Sequence, residues 1–199
     1  MSECKRTPIQ PVFVGLDMSL SATGFSRKEG SSITIDTIKT NPRTCVNDLV
    51  RLRYIANECL SRIPKNTKMI CIEDYFVPSN KGQIGSAMKL TALGTVMRLA
   101  LLEEGFSFYV VSPSQLKKFA TGKGVCQKSI VVREVFKKWG VDCKDDNQAD
   151  ATVLAHMAEA IFCHLNTDAT LVTSFEMPKY QMEMAAKVAK ERPHYNVEV

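Results

Sequence analysis

The chain has 199 residues, 45% of them hydrophobic and 24% charged, and a formal net charge of +5. That length and balance suit one globular domain with a core of its own, and they exclude a long disordered chain or a fibrous repeat. The mild positive charge suits a polyanionic partner without requiring one.

In chain order, residues 11–17 (PVFVGLD) read as a short apolar strand ending in an acid. Residues 19–24 (SLSATG) form a turn of small hydroxyl residues, and a second strand restarts at Phe25. Gly30 and Ser31 predict a hairpin turn before the alternating strand 32–39 (SITIDTIK). Asn41 and Pro42 break the pattern, and apolar residues at helical spacing then run from Val46 to Leu60. Residues 68–74 (KMICIED) predict a central strand that ends in two acids. A loop at 78–85 (PSNKGQIG) leads into a long helix at 86–104, and Gly105 suits its C-terminal cap.

Residues 106–111 (FSFYVV) predict another strand, and Ser112-Pro113 starts a short helix bearing Lys117 and Lys118. After the TGKGV loop, residues 128–139 are helical in spacing and Gly140 ends them. Residues 145–148 supply acids and a cap for a last core helix, 148–164. The remainder, 166–199, contains a Met-rich amphipathic stretch at 180–190, read as packing. The order is β-β-β-α-β-α-β-α-α-α, which suits a mixed sheet with helices on both sides. The first strand-turn has no GxGxxG, which disfavours a doubly wound nucleotide-binding fold. ATGKGVCQKS lacks the order GxxxxGK[ST], which disfavours ATP hydrolysis.

Seven cysteines form no CxxC pair, and none has a histidine at zinc-finger spacing. They read as reduced thiols of a cytosol-like compartment. Residues 1–10 have no apolar h-region, so no secretory signal is expected. No membrane span is expected either, the longest apolar helical stretch being interrupted by Arg98. His156 and His164 read as structural or surface groups.

Four acids stand out by position. Asp17 closes the first strand, Glu73 lies at the end of the fourth, and Asp146 and Asp150 share one face at the start of the last core helix. Neighbouring first and fourth strands would bring Asp17 beside Glu73. Carboxylates gathered in this way repel one another unless hard cations such as Mg²⁺ or Mn²⁺ lie between them. Two such ions about 4 Å apart prepare a water nucleophile and stabilise a leaving oxygen. Each acid also has an ordinary alternative. Asp17 could cap a turn, Glu73 and Asp74 could be polar strand ends, and Asp145 and Asp146 could answer the helix dipole. Asp150 is harder to explain so, because it lies in the apolar run ADATVLAHMAEAIF. Residues 117–138 hold seven Lys and Arg against Glu134 alone. Such a run is either a solvated face or a track for phosphate oxygens.

Four stretches together carry a resemblance. They are VGLDMSLSATGFS (14–26), CIEDYFV (71–77), VVSPSQLKKFATGKGVCQKSIV (110–131) and DDNQADATVLAHMAEA (145–160). In this order and spacing the chain resembles the RuvC-type Holliday-junction resolvases, especially their shorter phage-encoded branch. The resemblance implies a ribonuclease H-like α/β fold, a mixed five-stranded sheet flanked by helices, over residues 11–165. Residues 1–10 and 166–199 would be extensions, the second partly helical. It also implies a homodimer that cuts four-way DNA junctions by paired, near-symmetric nicks with Mg²⁺ or Mn²⁺, two ions per site. The setting would be cytoplasmic, the host's if the chain is viral.

The resemblance puts the metal-binding acids on Asp17, Glu73 and Asp150. A further family acid falls on Asn147, so the expectation moves to Asp146, with Asp145 and Asn147 as reserves. Lys128 matches a basic position near the scissile phosphate. Lys81, Lys117, Lys118, Lys123, Lys128 and Arg133 are the expected DNA contacts, and Phe76 is placed near the crossover or in the core. In such enzymes the helix after the 78–85 loop lies near the dimer interface, a use that Ala87, Leu90, Thr91 and Gly94 fit as well as internal packing. Rival readings are a broader nuclease of forks and flaps, a junction-binding protein without activity, and an RNA-cleaving enzyme on the same core.

Overall fold

The computed structural model describes residues 10–41, 43, 47–74, 84–166, 177–191 and 194–195. Three antiparallel strands open the chain: β1 (Val12–Asp17), β2 (Ala22–Glu29) and β3 (Ser32–Lys39). Gly30 turns the β2–β3 hairpin at φ +57°, the region that favours glycine at the first central position of a tight hairpin turn. Helix α1 (Asp48–Arg62) starts at Asn47, whose side chain accepts the Val50 amide. Strand β4 (Thr67–Glu73) then lies parallel to β1.

Helix α2 (Ile84–Glu103) returns the chain to β5 (Phe108–Val111), parallel to β4. Helices α3 (Pro113–Thr121), α4 (Lys128–Trp139), α5 (Asp146–Leu165) and α6 (Lys179–Glu191) follow. A two-residue strand, β6 (His194–Tyr195), pairs with β5, so the sheet order is β3-β2-β1-β4-β5-β6. The five expected strands are present, and the sixth comes from the C-terminal segment, where Tyr195 stacks on Phe108 at 4.8 Å.

Strand alternation divides the core into two halves. Val12, Val14, Leu16, Ile70, Ile72, Phe108 and Val110 face α1 and α2. Phe13, Met69, Cys71, Tyr109 and Val111 face α3, α4, α5 and α6. The same parity puts Asp17 and Glu73 on the α5 side, one step past the apolar residues that anchor each strand.

Helix α5 is almost wholly buried and crosses β1 and β2 closely. Two glycines permit this approach. A Cβ on Gly15 would lie 2.0 Å from the Ala151 carbonyl oxygen, and one on Gly24 would lie 2.1 Å from that of Asn147. Gly24 is also the register partner of Asp17. The glycines therefore seat the first turns of α5 over the strand end that carries the acid.

Helix α2 contains the apolar stretch interrupted by Arg98. By length and composition alone, its 20 residues would cross a membrane. Here it packs on the sheet through Leu93, Gly94, Met97 and Leu101, and carries ion pairs Lys89–Asp48 and Arg98–Asp74.

Candidate metal centre

Asp17, Glu73 and Asp150 offer carboxylate oxygens that all lie within 4.8 Å of one another. Parallel pairing of β1 and β4 brings the first two together, since Leu16 is opposite Ile72 and the acids are the next residues. The glycine-seated first turns of α5 add the third. Asp17 and Asp150 are buried, and Glu73 is half-buried.

The electrostatics are those of crowded acids. Burial, then the charge of Glu73, pushes Asp17 well above the ordinary carboxylate range. Burial also raises Glu73, and a hydrogen bond joins it to Asp17. Burial and the charge of Asp17 raise Asp150 to about 7. Among the described residues, no lysine or arginine forms an ion pair with these three acids. Oxygen donors alone, held by two strands and a helix, match what hard divalent cations prefer.

Asp146 stands one turn before Asp150, at the edge of this cluster. It is hydrogen-bonded to Lys128 at the start of α4, which holds Asp146 below its usual range and raises Lys128. The charge of Asp146 still reaches Asp17 and Asp150. Asp145 is used otherwise: it caps α5 by accepting the Gln148 amide at 2.8 Å. Asn147 turns its backbone carbonyl to Gly24. Asp74 pairs with Arg98 at 2.9 Å, and its amide donates to Val111 O at 2.7 Å.

The lysines separate into two groups. Lys128 and half-buried Lys117 place positive charge close enough to lower Glu73 and Asp150. Lys118, Lys123 and Arg133 are exposed and lie outside that short-range set. Arg133 approaches Glu134 at 3.8 Å. Lys81 and Phe76 lie outside the described residues.

Sequence reasoning missed three supports of α5. Gly15 and Gly24 are the first two, and an isolated glycine in a strand is the signal that backbone comes close there. The third is a buried group at the far end of the helix. Lys28 on β2 pairs with Glu159 at 2.6 Å and also donates to Gly30 O. His156 stacks on Trp139 at 3.9 Å, and burial, then Lys28, keeps it well below its usual pKa. No local motif marks a partnership 131 residues apart.

A mixed sheet of this order, with acids clustered at the ends of its first and fourth strands and on its last core helix, defines a ribonuclease H-like fold. The family described as crossover junction endodeoxyribonuclease RuvC matches residues 13–164, and the chain belongs to that family. The structure of Thermus thermophilus RuvC is similar at a TM-score of 0.60 and 19% identity, over 78% of this chain and 96% of that one. T. thermophilus RuvC in complex with Holliday junction substrate is similar at 0.58 and 22%, over 73% and 90%. At those identities the likeness establishes the fold. No curated protein matches the sequence.

Proposed function

We propose that the chain resolves four-way DNA junctions by paired symmetric nicks, as a homodimer with two Mg²⁺ or Mn²⁺ ions per site. The observation that carries this reading is the convergence of Asp17, Glu73 and Asp150 within 4.8 Å in a chain of the RuvC family.

When bound, the cations supply Lewis-acid activation of water and stabilise the leaving oxygen. The residues' own tasks follow from their places. Asp17, in electrostatic contact with both other acids, would hold the cations together with them. Glu73 and Asp150 would be further ligands, mounted on rigid elements as this chemistry requires. Asp146 would complete the donor set once Lys128 turns from it to a phosphate. Lys117 and Lys128 offset charge that grows on the phosphate in the transition state. Lys81, Lys118, Lys123 and Arg133 track the DNA backbone, with affinity that falls as salt rises. In-line attack leaves a 5′-phosphate and a 3′-hydroxyl. Two sites related by a twofold axis would face opposite strands of one junction.

The test is cleavage of a labelled synthetic four-way junction in Mg²⁺ or Mn²⁺, beside fork, flap and linear duplex controls. Paired nicks on the junction alone, lost in Asp17→Asn, support the reading. Equal nicking of all branched substrates assigns a broader nuclease, and tight binding without cleavage in either metal assigns a binding protein. Mass measurement in solution, with and without junction, tests the dimer.

A further inference from the structure

Helix α6 lies outside residues 13–164, the part that matches the family. It is nonetheless built into the same core, since Met184, Ala185 and Val188 are buried with Leu116, Phe119 and Ala120 of α3. Its one large polar intrusion is Gln181, 1% exposed, whose Nε2 donates to the Phe119 carbonyl at 3.0 Å.

That bond completes an unusual helix end. The last carbonyls of a helix have no partner within it and must find others. In α3, four consecutive carbonyls each find a separate donor. Thr121 Oγ1 donates to Lys117 O at 2.9 Å, and the Gly122 amide to Lys118 O at 2.8 Å. Gln181 serves Phe119, and Lys138 Nζ donates to Ala120 O at 2.6 Å. At the other end, Ser112 and Gln115 form a reciprocal cap. The helix is thus tied at both ends, and two of its ties come from other helices.

We propose that Gln181 is a positioning residue: through the Phe119 carbonyl it fixes α3 so that Lys117 faces the acid cluster. The proposal rests on the reading that Lys117 acts at that cluster. Lys117 sits two residues before Phe119 on this short helix, which starts from Ser112 directly after Val111, the register partner of Glu73, and its charge bears on Glu73 and Asp150. A rotation or slide of α3 would carry that ammonium away. Residues 122–127 join α3 to Lys128, so the same tie steadies the second lysine. Burial explains why the tie is a glutamine. A donor of this reach satisfies a buried carbonyl without bringing another charge into the core.

The test is a double-mutant cycle on Gln181→Met and Lys117→Met, read in two ways. One is Mn²⁺ affinity by titration of the junction-free protein. The other is the single-turnover cleavage rate at saturating junction. Lys117→Met should tighten Mn²⁺ binding several-fold, because a nearby cation is removed. Gln181→Met should shift it in the same direction by less, and the double variant should match Lys117→Met alone. In cleavage, Gln181→Met should lower the rate about tenfold, the factor that one buried hydrogen bond commands. Junction affinity should stay unchanged, and the double variant should be no slower than Lys117→Met. Independent effects that multiply in the double variant would overturn the proposal, as would wild-type values in Gln181→Met. If Gln181→Met does not fold, Gln181→Glu keeps the length while replacing the donor by an acceptor, and enters the same cycle. A wild-type protein that binds Mn²⁺ but cuts nothing would refute the nuclease reading, while the Mn²⁺ cycle still decides the positioning role.

Discussion

The two ends of helix α5 treat a buried carboxylate in opposite ways. Glu159, near the C-terminal end, is raised by burial, but the chain supplies its cation, Lys28, at 2.6 Å. Asp150, near the N-terminal end, is raised by the same burial and then by a second acid, Asp17. At one end the protein completes the charge balance itself. At the other it gathers further negative charge and leaves the compensation to something that arrives. A fold in need of stability alone would treat both ends alike, since an unpaired buried charge is costly. The contrast supports the proposal that the N-terminal end is the working one, with the far end as its anchor.

The largest effects should come from removing the crowded acids. Asp17→Asn, Glu73→Gln and Asp150→Asn should each lower single-turnover junction cleavage by about a thousandfold or more, several kcal/mol of barrier. Binding of the junction in EDTA, read by gel shift, should survive. Asp146→Asn should fall less, by tens of fold, because its lysine partner places it at the rim.

At the anchored end, activity is the wrong readout and stability the right one. Glu159→Gln or Lys28→Met leaves one buried partner alone and should cost about 3–5 kcal/mol in denaturant unfolding. Replacing both by methionine should return most of that loss. If each single variant is as stable as wild type, Glu159 and Lys28 are not the anchor.

The seat between the two ends can be disturbed directly. Gly24→Ala puts a methyl 2.1 Å from the Asn147 carbonyl, so α5 must shift. Overpacking of this kind costs about 1–3 kcal/mol. Mn²⁺ affinity should fall with it, because Asp150 rides on that helix.

The smallest effect is the pH dependence of the metal-free protein. The native pKa of Asp150, about 7, lies above its unfolded value of 3.8. The native state therefore binds the proton more tightly. That contribution is full below about pH 4 and is lost as pH rises through 7. Between pH 5.5 and 8 it should weaken wild type relative to Asp150→Asn by about 2 kcal/mol. Thermal unfolding in EDTA at the two pH values measures this. Added Mg²⁺ or Mn²⁺ should restore wild type at pH 8 and do little for the variant, since binding to the native state alone stabilises it. An identical pH response in both proteins would mean that Asp150 is not crowded as described.

Much of this was legible in the residues. Short apolar runs, the alternation of 32–39, the Gly30-Ser31 turn, helical spacing and the proline and glycine stops predict the five core strands and five core helices, although β2 begins at Ala22, inside the expected turn 19–24, because pairing with β1 and β3 extends it. Ser112-Pro113 announces a helix start, and Asp17, Glu73 and Asp150 stand where short apolar segments end or an acid intrudes on them. These are local signals: period two, period 3.6, and charge where the pattern calls for carbon. Asp146 shows their limit. Its spacing from Asp150 predicts a shared face, and that is correct, but the hydrogen bond that draws it toward Lys128 comes from another helix.

What the sequence by itself determined, then, is the order of the core elements and which acids were candidates. The tertiary structure alone decided which oxygens meet. Asp17 and Glu73 are neighbours because β1 and β4 pair in parallel across an intervening hairpin and helix. Asp150 joins them because two glycines let a helix lie against the sheet backbone. Likewise, Gln181 reads as one polar residue in an amphipathic stretch until α6 is laid on α3 and its amide finds Phe119 O. Each of these contacts joins distant segments, and no local period records a distance between residues the chain has yet to fold together.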